Sequence, residues 1–186
     1  DDVLGDDLFP QDFIIKLHLS DQYKGQDFYF PRENDEENKR GFDPVIEISE
    51  SDVNHFRPPS RRVDRNDPNR FRITGLTGSL KDAIRCFVIN NSIRSLRGYQ
   101  SVHNTMLINV THRVVLMNDV GDCVSEYLTD LQNAIRLCSA LPSSQRMDNS
   151  HMQELNETYK SHYSHLPKEE SFEKILEVIN NCAQKI

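Results

Sequence analysis

Residues 103–113 read HNTMLINVTHR, two histidines, two asparagines and an arginine set around the apolar run Met106 to Val110. The question is whether this stretch is a polar site or a strand with polar ends. Read as a strand, its nine residue steps hold His103 and His112 roughly 30 Å apart, at about 3.3 Å per residue. The two histidines then cannot share a metal ion. No HExxH, HxxxH or carboxylate pair is placed to add the missing ligands, so no metal site is assigned.

Helices are expected on either side. Upstream, Ser79 is a fitting N-cap for a helix running to about Arg97, with Gly98 as its C′ residue. Leu80, Ala83, Ile84, Phe87 and Val88 mark one face and Cys86, Ile89, Ile93 and Leu96 a neighbouring one, an apolar arc wide enough to be covered on most sides. Arg94 and Arg97 fall in the last turn, where cations also complement the helix dipole. Downstream, Val120, Val124, Tyr127, Leu128, Leu131, Ile135 and Cys138 predict a long amphipathic helix ending before Pro142. Two more helices follow the polar connection Ser143 to Ser150: Met152, Leu155, Tyr159, Tyr163 and Leu166 up to the break at Pro167, then Phe172, Ile175, Leu176, Ile179 and Cys182. Helices thus cover both faces of Met106–Val110, which reads as a buried parallel strand.

The first part of the chain is less regular. Asp12–Leu17 and Pro44–Ile48 read as strands, with a short extended piece from Tyr23 to Phe30. Ser49 or Ser51 could cap a turn of helix reaching Phe56. Arg32–Arg40, RENDEENKR, has no apolar residue and reads as a solvated loop, and Arg57–Asn69, RPPSRRVDRNDPN, as a linker rich in Pro and Arg.

At 186 residues the chain is about one domain long, and 37% hydrophobic content excludes wholesale disorder. No apolar run approaches the roughly 20 residues of a membrane span, and the acidic start DDVLGDDLFPQDF carries no secretory signal. Cys86, Cys123, Cys138 and Cys182 lack CxxC spacing and fall in apolar helical patterns, as reduced core thiols of a cytoplasmic protein would.

The net charge of −7 hides a pattern. Residues 1–56 carry 15 acidic and 5 basic groups, residues 57–113 carry 3 and 11, and residues 114–186 carry 11 and 6. The basic middle includes Arg57, Arg61, Arg62, Arg65, Arg70 and Arg72. These arginines read either as contacts to a phosphate backbone or as a solvated loop paired with the acidic first third. Enzymatic signatures are missing. Asp43 with Glu47-Ile48-Ser49 lacks the Lys of a PD-(D/E)xK nuclease, Gly75–Ser79 lacks the Lys of a P-loop, and there is no GxSxG.

Three stretches in order resemble a known family: Asp6–Ile14 (DDLFPQDFI), Gly78–Phe87 (GSLKDAIRCF) continuing to Ile93–Gly98 (IRSLRG), and His103–His112 (HNTMLINVTH). Together, over most of residues 6–140, they resemble the Z-one domain of bacterial endonucleases. That family is similar to superfamily-two helicases and accompanies restriction-modification systems. His18-Leu19 departs from the Pro-rich continuation expected of the family. The resemblance implies that LFPQDFI follows a first RecA-like lobe, that the SLKDAI helix connects the lobes, and that HNTMLINVTH is the first strand of the second.

The resemblance further implies an internal fragment, with its ATP- and magnesium-binding motifs before Asp1 and an arginine finger after Ile186. The fragment then carries no cofactor and is inactive alone. The expected fold is α/β and helix-rich, a partial RecA-like second lobe with a C-terminal pair of helices. Residues 1–78 form the inter-lobe segment, 79–142 a helix–strand–helix core and 143–186 the C-terminal helices. The expected role is DNA contact and inter-lobe structure within a cytoplasmic DNA-processing protein, its partners being DNA and the remaining lobes and not a membrane. Ligands gather at the carboxyl ends of strands in open α/β sheets. Candidate contacts are therefore His112 and Arg113, with Arg61, Arg62, Arg65, Arg94 and Arg97 of the basic middle. A non-catalytic interaction module, docking through Met152, Tyr159 and Tyr163, is the alternative.

Overall fold

The computed structural model describes residues 45–59 and 66–186. The strands expected at 12–17 and 23–30, the loop at 32–40 and most of the arginines of the linker lie outside these residues. The chain falls into two compact units, 1–47 and Ile48–Ile186; the second is described below.

Among its described residues, six helices and a 3₁₀ turn make up the regular structure: α1 (Glu50–His55), α2 (Gly78–Leu96), α3 (Val114–Ser139), α4 (Ser143–Arg146), α5 (Ser150–Tyr163), the turn Lys168–Glu170 and α6 (Phe172–Ala183). Local chemistry sets their ends. Ser49 caps α1 by accepting the Asp52 amide at 3.2 Å. The cap of α2 is Thr77 rather than Ser79: the Thr77 hydroxyl, itself buried, accepts the Leu80 amide at 3.3 Å. At the other end Gly98 takes φ +84°, the Tyr99 amide donates to the Arg94 carbonyl at 2.8 Å, and the Gly98 amide to that of Ser95 at 3.0 Å. This pair of bonds closes a helix through a left-handed residue, which glycine adopts without strain. Asn149 caps α5 through the amides of His151 and Met152.

α5 and α6 each pack against both α2 and α3, so four helices enclose one core. Val88 and Ile89 of α2, Leu131 and Ile135 of α3, Met152 and Leu155 of α5, and Ile175 and Ile179 of α6 are buried there. Each such side chain contributes about 1.5–3 kcal/mol on leaving water. Ser92, in the middle of α2, is fully buried and donates to the Val88 carbonyl at 3.1 Å, so its hydroxyl is satisfied within the helix. A smaller cluster of Phe56, Ile73, Leu116 and Val120 sits where residues 70–77 cross α3. Arg70 fixes that crossing with two bonds to the Asp119 carboxylate, at 2.6 and 2.7 Å. No helix among the described residues is long and apolar enough to cross a membrane.

The expectation of an α/β fold with a partial RecA-like lobe is corrected here. The described residues contain no strand and no sheet. Met106–Val110 is extended but pairs with no other described residue, and among the described residues none of the backbone groups from Thr105 to Val110 has a hydrogen-bond partner. Burial alternates along it. Met106, Ile108 and Val110 lean on the helical clusters while Thr105, Leu107 and Asn109 face outward, Leu107 at 90% exposure. One face is covered instead of both, and with no extended neighbour among the described residues the segment has no ladder to join there. Val45–Ser49 is likewise not a strand: Val45, Ile46 and Ile48 are exposed and carry no regular structure.

Candidate functional site

The arginines of the basic middle meet different fates. Arg70 is held by Asp119, both side chains being about nine-tenths buried. Arg85 lies at the centre of a network: its Nε donates to the Thr158 hydroxyl at 2.8 Å, and its Nη1 donates to the Tyr127 hydroxyl at 2.9 Å and to Glu154 at 2.8 Å. Arg97 meets Glu170 with two parallel bonds of 2.6 and 2.7 Å. Such two-pronged guanidinium–carboxylate bonds are strong and directional. Asp119, Glu154 and Glu170 all belong to the acidic final third, so these three arginines join the basic middle to the helices that follow it.

The shifts in acidity follow from the contacts. The Arg70 guanidinium holds the Asp119 carboxyl below the usual carboxylate range, helped by the Ile73 amide. Arg97 does the same for Glu170. Burial pushes Asp82 upward, but bonds from Thr158 and His162 and the charge of Arg85 outweigh it and hold the group low. Burial raises the Cys86 thiol to about 11.

Of the other candidates, Arg61, Arg62 and Arg65 lie outside the described residues. His112 is exposed, and Arg113, partly buried, is the N-cap residue of α3. His103 is exposed at the start of the extended segment. Among the described residues neither His103 nor His112 joins any group of three metal-ligating side chains. Met152, Tyr159 and Tyr163, considered as a docking surface, are engaged inside the unit: Met152 is buried, the Tyr159 hydroxyl donates to the Glu170 carbonyl at 3.1 Å and that of Tyr163 to the Cys86 carbonyl at 3.4 Å.

Arg94 differs from its neighbours. It lines a groove of about 590 Å³ between α2, the segment Tyr99–Ile108, the middle of α3 and the C-terminal end of α6. That volume is in the range of small-ligand sites. The floor is apolar, from Ile84, Phe87, Met106, Ile108, Val124 and Leu128, and the rim is polar, from Asn91, Arg94, Gln100, His103, Asn104 and Lys185. Asn104 donates to the Asn91 side chain at 3.0 Å and anchors the segment to α2. Gly98 reverses the chain so that the exposed ring of Tyr99 stands at the rim. Among the described residues, the side chains of Arg94 and Lys185 have no hydrogen-bond or ion-pair partner. A cationic, amide-bearing rim over an apolar floor can take a phosphate and a flat ring together.

The sequence reading named Arg94 but not the groove, because Asn91, Asn104 and Lys185 come together only in the fold. It also missed a cluster of Asp82, Cys86 and His162, whose donor atoms lie within 4.8 Å of one another. The four-residue spacing of Asp82 and Cys86 puts them on one helical face, a readable signal; nothing local points to His162.

Among known protein families, the Z1 domain matches residues 79–186. The match takes in the SLKDAI and HNTMLINVTH stretches, leaves out Asp6–Ile14 and runs on past residue 140 to the last helix. No curated protein and no solved structure matches the chain.

Proposed function

The chain belongs to the Z1 domain family through residues 79–186, and from that membership we propose that it is the DNA-contacting helical module of a larger, helicase-like DNA-processing protein of a restriction-modification or defence system. Residues 1–186 contain no GxxxxGK(S/T) loop and no complete nuclease motif, so the role assigned to them is contact and not chemistry. In this reading ATP and magnesium act elsewhere in the parent protein, in the bacterial cytoplasm. A strand of nucleic acid lies along the groove, its phosphate on Arg94 and Lys185 and a base against Tyr99, with the amides of Asn91, Gln100 and Asn104 beside it.

The observation that carries the reading is the contrast along α2 and its C-cap residue Arg97. Arg85 and Arg97 are consumed by carboxylates, whereas Arg94, between them, is left open beside a ring and a row of amides. Arg61, Arg62 and Arg65 would add backbone contacts. The test is fluorescence anisotropy of labelled single-stranded and duplex oligonucleotides against salt. Binding should weaken as salt rises, and Arg94→Ala should make the log–log salt slope shallower by about one. Replacing Arg61, Arg62 and Arg65 by Ala together should make it shallower still. Absence of binding at about 50 mM salt, where phosphate contacts are strong, would sink the DNA reading.

A further inference from the structure

We propose that Asp82, Cys86 and His162 form a binding site for a zinc-like divalent cation that ties α2 to α5, on the other side of α2's chemistry from the nucleic-acid reading and independent of it. Asp82 and Cys86 stand one turn apart on α2, and α5 packs on that helix and brings His162 to them. One donor atom from each residue lies within 4.8 Å of the other two. Tetrahedral zinc, with bonds of about 2.0 Å to nitrogen or oxygen and 2.3 Å to sulfur, places its donors roughly 3.3–3.7 Å apart. Closing the triangle onto an ion therefore needs side-chain movements of about 1 Å, and the Asp82–His162 contact, now 2.7 Å, opens slightly.

The donor set selects the ion. Magnesium and calcium take oxygen ligands, whereas one nitrogen, one sulfur and one carboxylate oxygen suit zinc and its transition-metal neighbours. The support around the carboxylate is also that of a ligand. Thr158 donates to Asp82 Oδ1 at 2.6 Å, with Arg85 at 3.3 Å from the same atom, which leaves Oδ2 directed to His162. Fixing the outer oxygen in this way orients the inner one. The charge of Arg85, the obvious objection, is met by Glu154 at 2.8 Å on its far side. An Asp–His hydrogen bond alone would account for those two residues. The Cys86 thiol, beside the Tyr163 hydroxyl, adds a soft third donor at the same point. Coordination converts the Cys86 thiol to a zinc-bound thiolate and passes its proton to solvent. Three protein ligands leave a fourth position for water.

The test uses the full chain, reduced and stripped of metal, titrated with Zn²⁺ against a chromophoric chelator and separately with Co²⁺. One equivalent should bind, and Co²⁺ should give the near-ultraviolet absorption of a cobalt–thiolate bond. Cys86→Ser, a near-isosteric change, should abolish that absorption and weaken Zn²⁺ by at least about tenfold, as should His162→Gln. Cys182→Ser should leave both signals intact. Failure to take up an equivalent of metal, or uptake that survives Cys86→Ser or is lost with Cys182→Ser, would overturn the proposal. Loss of DNA binding with metal uptake intact would count against the groove alone.

Discussion

Arg94 and Arg97 sit three residues apart at the end of α2, alike in sequence and opposite in their contacts among the described residues. Arg97 and Glu170 hold each other across 73 positions of chain, as Arg70 and Asp119 do across 49. A pH dependence follows from the two carboxylates. Their folded-state acidities lie below the ordinary values of 3.8 for Asp119 and 4.5 for Glu170. A lowered carboxylate adds stability that is complete above its unfolded value and is lost as pH falls through its folded one. The urea midpoint should therefore hold steady near neutrality and drop in acid below about pH 4.5, the unfolded Glu value. In Asp119→Asn the slope of stability against pH in that limb should be shallower by up to about one proton; an unchanged slope would show that the Arg70 contact is not kept in solution. The sequence exposed the surplus of arginines but not their allocation, because each partner lies dozens of residues away. An equal choice between phosphate contact and ion pairing was all that charge counting could support.

At the scale of elements, the helices were legible because their signals are local. Apolar spacing placed α2, α3, α5 and α6, Gly98 ended α2, and Pro142 and Pro167 separated α3, α5 and α6 from one another. The cap of α2 moved from Ser79 to Thr77 because two hydroxyls compete there and the buried one needs the amide more. Gly98 makes a sharp test. A Cβ there would meet nothing within 4 Å, so the only penalty of Gly98→Ala is the backbone at φ +84°. The substitution should cost about 1 kcal/mol in urea denaturation. It should also disturb the rim of the groove, since Tyr99 follows directly. A neutral or stabilising result would mean that α2 does not end in this turn. The stretch Met106–Val110 was harder, because a strand is defined by a neighbour and the neighbour cannot be read locally. Its alternation was nevertheless in the letters: Met106, Ile108 and Val110 on one side, Leu107 and Asn109 on the other. Flanking helices suggested cover on both faces; the fold supplies it on one.

For the whole unit Ile48–Ile186, the architecture is four helices around a shared core, with an extended segment laid along its edge and a groove between the two. The helices hold their amides in internal bonds, while among the described residues Thr105–Val110 finds no partner for its own beside the groove. That difference makes the segment a reporter of whatever the groove binds, since unpaired amides exchange fast until a ligand shields them. Amide hydrogen exchange of the full chain, with and without single-stranded DNA, is therefore the most direct test. The cores of α2, α3 and α6 should exchange slowly in both samples and residues 105–110 fast in the free protein, with DNA slowing exchange across residues 99–106 and Arg94→Ala removing that effect. Slow exchange at 105–110 in the free chain would contradict the unpaired segment, and DNA-dependent protection elsewhere with none at 99–106 would contradict the groove as the binding site.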